Sequence, residues 1–268
     1  MGEIKLIIQP DAEENEAAEV FVDGKMGSHT YRFLLDTGAA RSSIRLDDYT
    51  STFASLGKNS SSGVFTSMSD DLITVPRIQV GPIFRQNFTL TRAAGSGSRN
   101  LIGMDLLKDF CCHFFFDEHR VSVDADDAPE VAYRFEPLLL DQKFHPYVEV
   151  LFGTIQAKAV WDTGASITVV DINLINRLPD FFEEVGYSTG TDAAGTQVET
   201  PMFIMSGAVI GSHPFLPHKV AAVDLSPVNS TLEVPMDLIL GYNTLSQANW
   251  LFDFPRQRWT ISKWLKTL

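Results

Sequence analysis

The chain has 268 residues, of which 44% are apolar and 21% charged, and its formal net charge is −13 at pH 7. This length allows two domains with their own cores. The sequence contains no stripe of basic residues, so nucleic acid is not expected as a partner. No apolar run is long enough to span a bilayer, so no membrane partner is expected either.

The first half begins with residues 1–18, which include an acidic segment, residues 10–16, that we predict to be mobile. Residues 19–22 read as a strand, and Asp23-Gly24 reads as the start of a turn. Residues 31–35 form an apolar return strand. This strand leads directly into Asp36-Thr37-Gly38-Ala39, so the carboxylate is expected at the end of a strand.

Further predicted elements follow this motif. A helix is predicted over residues 47–56 and a flexible loop over residues 58–63. Strands are predicted over 73–80 and 84–90. Leu101-Ile102-Gly103 then precedes a short helix over 104–110.

The second half begins after an acidic stretch, residues 124–136, that contains a proline and interrupts the strand pattern. We place the domain boundary there, with an N-terminal lobe over 1–130 and a C-terminal lobe over 131–268. Strands are predicted over 147–152 and 155–161, and the second of them runs into Asp162-Thr163-Gly164-Ala165.

Two helices are predicted in the second half. Asp171 is a favourable N-cap for a helix that ends at Pro179, and Asn243 is predicted to cap a helix to residue 249. Between them, a hairpin is predicted around residues 189–196, which contain two glycines.

The order of these elements occurs twice. In each half an apolar strand leads to Asp-Thr-Gly-Ala, and an apolar-apolar-Gly run follows, Leu101-Ile102-Gly103 in one half and Ile239-Leu240-Gly241 in the other. An aromatic strand ending in Asp117 or Asp253 comes next. The period of roughly 130 residues is too long for a solenoid and indicates two homologous lobes.

At these residues the chain resembles the aspartic peptidases, and the alanine after each glycine resembles the retropepsin-like branch. The resemblance implies an all-β, bilobal fold of the double-ψ β-barrel type, with one catalytic aspartate from each lobe, Asp36 and Asp162. It also implies supporting roles at the dyad for the residues that follow each aspartate: Thr37, Gly38, Ala39, Thr163, Gly164 and Ala165.

The family places a substrate-covering flap after the catalytic turn, and both halves offer a hairpin for it. The implied substrate-binding residues are Gly63, Val64, Phe65, Ala194, Gly195 and Thr196. Two family features are absent from the sequence: a basic prosegment and the pepsin-type flap tyrosine. An ordinary surface hairpin is the alternative interpretation of the first of these segments.

Two carboxylates held close together cannot easily both ionise, so they share one proton. The ionised partner can take a proton from water while the protonated one polarises a carbonyl. This chemistry requires neither a metal nor a cofactor, and a polypeptide is the implied substrate. Because the pair titrates as a unit, the sequence assigns neither role to either aspartate.

The two cysteines, Cys111 and Cys112, are adjacent and would point to opposite faces of a strand. We therefore expect buried thiols rather than a disulfide or metal site. Without a disulfide framework or a recognisable signal peptide, the cytoplasm is the favoured location; secretion is the alternative if a signal has been removed. A monomer is expected, since both motifs lie in one chain.

Two other functions are compatible with parts of this pattern. A peptide-binding module could keep the fold without activity, although both motifs are intact. A two-carboxylate glycoside hydrolase would require no matched Thr-Gly flanks. The six histidines lie in no recognisable catalytic motif, so we expect them to be solvated or in the core.

Overall fold

The computed structural model describes residues 2–62, 67–95, 97–124, 133–191 and 197–265, and these residues form an all-β protein with short helices. The described strands of the first half are β1 (Gly2–Lys5), β2 (Ile7–Pro10), β3 (Ala18–Met26), β4 (His29–Leu35), β5 (Ser43–Arg45), β6 (Gly57–Ser62), β7 (Ser67–Val80), β8 (Ile83–Ala93), β9 (Leu101–Ile102), β10 (Cys111–Phe115) and β11 (Arg120–Asp124).

The second half repeats this strand-rich pattern. Its described strands are β12 (Glu136–Pro137), β13 (Leu139–Leu140), β14 (Pro146–Phe152), β15 (Ile155–Trp161), β16 (Val169–Asp171), β17 (Phe182–Thr191), β18 (Gln197–Met205), β19 (Ala208–Ile210), β20 (His213–Pro214), β21 (His218–Val223), β22 (Leu238–Leu240), β23 (Ala248–Asp253) and β24 (Arg258–Trp264). The helices are α1 (Met104–Leu107), α2 (Ile172–Arg177), α3 (Ser226–Asn229) and α4 (Tyr242–Leu245).

Each half has a sheet of its own, and the two sheets share a parallel arrangement at the motif. The first sheet has the order β2-β3-β4-β9-β5-β8-β7-β6, and the second β17-β18-β21-β16-β22-β15-β14-β19-β20. In the first, β4 runs parallel to β9; in the second, β15 runs parallel to β22. The strand that carries each aspartate therefore lies beside the apolar-apolar-Gly run of the same half.

A third, six-stranded sheet joins the two halves in the order β1-β11-β10-β23-β24-β12. At its centre β10 and β23 pair antiparallel, with Phe114 opposite Trp250 and Cys112 opposite Phe252. The predicted two-lobe division does not include this shared sheet. Residues 125–132, which contain the proposed boundary, lie outside the described residues, so the boundary stays a prediction.

The core continues from this shared sheet to the second motif. Trp161, the residue before Asp162, is fully buried, and its ring centroid lies 4.7 Å from that of Phe114 and 4.6 Å from that of Phe252. Aromatic rings at these distances make favourable contacts in addition to their buried area. Residues from both halves thus pack directly beneath the turn that carries Asp162.

The N-terminal acidic segment is ordered, contrary to the prediction of mobility. Residues 2–5 and 7–10 form β1 and β2, which pair with β11 and β3. Beyond β2, Glu14 forms an ion pair with Lys219 of the second half at 2.9 Å, and Glu16 accepts a hydrogen bond from the Lys219 N–H. Backbone pairing and these cross-lobe contacts hold the segment in place. Its amino-acid composition alone does not indicate this.

One predicted loop and one predicted turn are strands in the structure. Residues 58–62, predicted as loop, belong to β6 and pair with β7 from Gly57↔Leu72 to Ser62↔Ser67. The predicted turn at Asp23-Gly24 lies inside β3, and the chain turns instead at Gly27, whose φ is +58°. The backbone ladder outweighs weak local strand propensity at both places.

The predicted helices are shorter than expected. Residues 47–56 contain only a 3₁₀ turn, Thr50–Thr52. Asp171 caps α2 by accepting the Asn173 N–H, as predicted, whereas the second predicted cap is wrong because α4 begins after Gly241. Among the described residues no helix has the length and apolar character needed to cross a membrane.

Candidate active site

Asp36 and Asp162 occupy matching positions at the ends of β4 and β15. The Asp36 N–H donates to the Ile102 carbonyl at 2.9 Å, and the Asp162 N–H donates to the Leu240 carbonyl at 3.0 Å. Each aspartate is therefore fixed by the parallel neighbour of its strand before the chain turns. The sequence order of apolar strand, aspartate and glycine is realised twice, once in each half.

The two turns are joined by a crossed set of hydrogen bonds from the threonines. The Thr37 hydroxyl donates to the Trp161 carbonyl at 2.8 Å, and the Thr163 hydroxyl donates to the Leu35 carbonyl at 2.6 Å. Each backbone N–H also donates to the other hydroxyl, at 3.2 Å from Thr37 and 3.0 Å from Thr163. All four bonds are buried, so each threonine holds the opposite strand end in place.

The glycines bring each turn against the carboxylate of the other half. The Gly38 N–H donates to Asp162 Oδ1 at 3.0 Å, and the Gly164 N–H donates to the same oxygen at 2.8 Å. A Cβ on Gly38 would lie 2.5 Å from Asp162 Oδ2, and one on Gly164 would lie 2.5 Å from Asp36 Cγ. Only glycine leaves room for this close approach, which brings the two carboxylates together.

A second layer of polar residues supports each turn, and the sequence analysis did not identify it. In the first half Asp105 accepts from the N–H and hydroxyl of Ser42, at 2.9 Å and 2.6 Å. In the second half Asn243 accepts from the N–H and hydroxyl of Thr168, both at 2.9 Å. The signal was available, since Asp105 and Asn243 each stand two residues after the glycine of the apolar-apolar-Gly run.

The same glycines allow this second layer to pack closely. The Ser42 hydroxyl accepts the Gly103 N–H, and the Thr168 hydroxyl accepts the Gly241 N–H, each at 3.0 Å. A Cβ on Gly103 would lie 2.6 Å from the Ala39 carbonyl oxygen, which belongs to the catalytic turn. Gly103 thus lets β9 press against the turn from behind.

Burial raises the pKa of both carboxyl groups. Loss of hydration raises the pKa of Asp36 well above its ordinary range, and the neighbouring Asp162 carboxylate raises the Asp36 pKa further. Burial also raises the pKa of Asp162, but the N–H groups of Gly164 and Gly38 offset part of that rise. The two N–H bonds to one Asp162 oxygen favour the charge there, and the shared proton is favoured on Asp36.

The predicted flap residues Gly63, Val64, Phe65, Ala194, Gly195 and Thr196 all lie outside the described residues. The strands that lead to them are described: β6 pairs with β7, and β17 pairs with β18. Each half therefore extends a paired hairpin after its catalytic turn. The contribution of the six residues to substrate binding stays a prediction.

Comparison with known families bears on the first half. Residues 22–109 match the family model described as gag-polyprotein putative aspartyl protease, a segment that contains Asp36 and extends through α1. The match supports a likeness of this segment to the retropepsin-like aspartic peptidases. No curated protein matches the chain significantly.

The retropepsin-like assignment agrees with the geometry of the second half, although that half lies outside the match. Its turn repeats the threonine bonds to the opposite lobe, while the Gly164 N–H bonds to Asp162 of its own turn. The parallel pairing of β15 with β22 repeats that of β4 with β9. The described residues contain no group of three His, Cys, Asp or Glu side chains placed to hold a metal ion.

One histidine near the dyad was also missed. His145 lies just before β14, and its positive charge contributes to lowering the pKa of Asp162. In the sequence it stands 17 residues before Asp162, as Glu19 stands 17 residues before Asp36. This equal spacing within the duplication was the signal that could have identified the position.

Proposed function

We propose that the chain is an aspartic endopeptidase that hydrolyses peptide bonds with a water molecule held between Asp36 and Asp162. The cleft between the two lobes receives an extended polypeptide, and the hairpins after the two turns cover it. The observation that carries this proposal is the crossed contact of the two turns, which places the Gly38 N–H on the carboxylate of the other half at 3.0 Å.

The proposed chemistry uses the one proton that the pair shares. Asp162 takes a proton from the water while the water oxygen attacks the carbonyl carbon. Asp36 gives its proton to the carbonyl oxygen. Asp162 then gives its proton to the amide nitrogen, and Asp36 takes a proton from a hydroxyl of the tetrahedral intermediate as the C–N bond breaks. The products are a carboxylic acid and an amine, and the shared proton is again on Asp36.

An inactive peptide-binding module of the same fold is the alternative. Such a module would need neither a protonated carboxylate nor two buried acids in contact, which are costly to maintain. Asp36 is only 9% exposed and its charge faces that of Asp162, so the site retains an arrangement that binding alone does not require. This cost favours a catalytic role.

The test is incubation of the purified chain with a peptide library, followed by mass spectrometry of newly formed termini. New termini with wild type and none with Asp162→Asn would support the peptidase. Peptides retained without cleavage by both proteins would instead support the binding module.

We expect the site to be complete in one chain, because the two aspartates are covalently linked through the same backbone. Specific activity should stay constant on dilution from micromolar to nanomolar protein. The measurement is a dilution series of cleavage rate, paired with light scattering at each concentration. A steep loss of activity that accompanies dissociation would show that the site forms between chains.

We also expect a mildly acidic optimum, on the order of pH 5–6. Catalysis requires one proton on the pair, and burial raises the pKa of both aspartates, so the singly protonated window moves to higher pH. Ala39 and Ala165 carry no hydroxyl that could bond to and stabilise the charged carboxylates. The pH profile of kcat/KM measures this window.

The same reasoning gives a test at the two alanines. Ala39→Ser or Ala165→Ser would supply a hydroxyl donor to the ionised form, lower the carboxylate pKa and move the basic limb to lower pH. A wild-type optimum near pH 2–3, or serine variants with an unchanged basic limb, would contradict the role given to the alanines.

We further propose the cytoplasm as the site of action. Cys111 and Cys112 are both buried, and burial raises the pKa of the Cys112 thiol far above its ordinary value, which leaves it unreactive. Activity should therefore be indifferent to millimolar reductant, and loss of activity in reductant would argue against this location.

A further inference from the structure

The ladder between β14 and β15 ends with Tyr147 paired with Val160, and His145 and Asp162 each lie two residues beyond that pair. Continuing the antiparallel register sets His145 opposite Asp162. Residues directly opposite in an antiparallel pair project their side chains to the same face. The placement agrees with the contribution that the charge of the imidazole makes to lowering the pKa of Asp162.

The imidazole is held by a buried acid in its own loop. His145 Nδ1 lies 2.7 Å from Asp141 Oδ2, and the side chain of Asp141 is 2% exposed. The other oxygen of Asp141 accepts the backbone N–H groups of Lys143 and His145, both at 2.9 Å. Asp141 thus fixes both the loop and the ring.

The loop is also fixed from the first half. Phe144 adopts a φ of +63°, a conformation that is uncommon outside glycine, and the Lys108 ammonium lies 4.5 Å from the centre of its ring. Strained backbone next to a site is maintained only where surrounding contacts determine it. Here those contacts come from Asp141 on one side and Lys108 on the other.

The first half places a different charge at the equivalent position. There β3 pairs Phe21 with Leu34, so continuing the register sets Glu19 opposite Asp36. Glu19 is an acid, and it forms an ion pair with Arg99. The dyad is therefore flanked by a potential cation beside Asp162 and by a carboxylate beside Asp36.

Several charged or titratable groups face His145. Asp141 comes from its own loop, Asp162 and beyond it Asp36 from the catalytic turns, and the Tyr147 ring lies 6.4 Å away on β14. Lys108 lies against the adjacent Phe144. Asp141 thus contacts the imidazole directly, and a positive charge on the ring acts on Asp162.

We propose that His145 is a positioning residue whose imidazolium, held by Asp141 opposite Asp162, keeps the negative charge of the dyad on Asp162 and the proton on Asp36. The proposal rests on the peptidase function proposed above. It breaks the near-symmetry of the two motifs and assigns the water-activating role to the second half of the chain.

The test is the pH profile of kcat/KM for His145→Gln, which keeps hydrogen-bonding capacity but removes the charge. The acidic limb reports the ionisation of the first carboxylate, which a nearby cation favours. Losing that cation should move the acidic limb upward by on the order of half to one pH unit. His145→Lys, which keeps a positive charge, should return the limb toward its wild-type position.

The matched control is His29→Gln, because His29 is an exposed imidazole in a hairpin of the first half. It should leave the acidic limb unmoved. An unchanged limb in His145→Gln, or a shift that the lysine variant does not reverse, would overturn the proposal. A purely structural role predicts lower stability and kcat with no movement of the limb.

Failure of the peptidase function is distinguishable from failure of this proposal. Carbon-13 NMR of labelled aspartate carboxyls follows protonation of the dyad without any substrate. The carboxyl that ionises first should be Asp162, identified by its loss in Asp162→Asn, and His145→Gln should delay that ionisation to higher pH. First ionisation at Asp36 would overturn the inference whether or not peptides are cleaved.

Discussion

Asp36→Asn and Asp162→Asn are each expected to lower kcat/KM for peptide cleavage by about 10³-fold or more. Each substitution removes one of the two groups between which the proton and the water are shared. Because the pair acts as a unit, the double variant should lose little more than either single variant. Progress curves for a cleavable peptide measure all three proteins.

The fold should survive these changes, because asparagine is nearly isosteric with aspartate. In Asp162→Asn the side-chain oxygen can still accept the N–H groups of Gly38 and Gly164. Asp171→Asn is the matched control, since Asp171 is also buried but caps α2, and asparagine caps helices equally well. Full turnover in either dyad variant would contradict the assignment of the dyad.

The dyad could be predicted from the sequence because its determinants are local and repeated. An apolar strand followed by Asp-Thr-Gly fixes where each carboxylate leaves its strand, and the duplication implies that two such turns meet. The hydrogen bonds from Thr37 to Trp161 and from Thr163 to Leu35 join the two turns. The retropepsin-like match over residues 22–109 is independent support for the first turn.

The hairpin arms could not be predicted because pairing, not propensity, makes them strands. Residues 58–62 read Lys-Asn-Ser-Ser-Ser, which is typical of a loop, yet they complete a ladder with β7. Asp23-Gly24 is a frequent turn signal, but a Cβ on Gly24 would lie 2.9 Å from the Phe33 ring. That glycine permits close packing within β3 rather than a turn.

The shared six-stranded sheet also could not be predicted from the sequence. Its central pair, β10 with β23, joins residues about 140 apart, and nothing local marks which strands leave their own lobe. Asp253 illustrates this: it ends an aromatic strand as predicted, but it is 1% exposed and bonded to Arg258 at 2.8 Å. Only the assembled sheet shows that this acid is structural.

Thr37→Val should destabilise the protein by about 2–4 kcal/mol and reduce activity about 10²-fold or more. Valine matches the shape of threonine but removes the hydroxyl. The Trp161 carbonyl then loses its donor at 2.8 Å, and the Thr163 N–H loses its acceptor at 3.0 Å, both in buried surroundings. Urea unfolding followed by tryptophan fluorescence measures the stability.

The activity loss follows from the same bonds, because they set the separation of the two turns. Thr163→Val should act alike, since its hydroxyl donates to the Leu35 carbonyl and accepts the Thr37 N–H. The double variant should cost less than the sum of the two, as expected for residues in one network.

Thr37→Ser is the control that isolates the hydroxyl, and it should stay within about 1 kcal/mol of wild type because the bonds can re-form. Thr260→Val tests the loss of a buried hydroxyl away from the dyad. The Thr260 hydroxyl reaches only the carbonyl of the next residue at 3.4 Å, so its removal should leave turnover unchanged. If Thr37→Val matched Thr260→Val in both stability and turnover, the crossed threonine bonds would not be what holds the two carboxylates together.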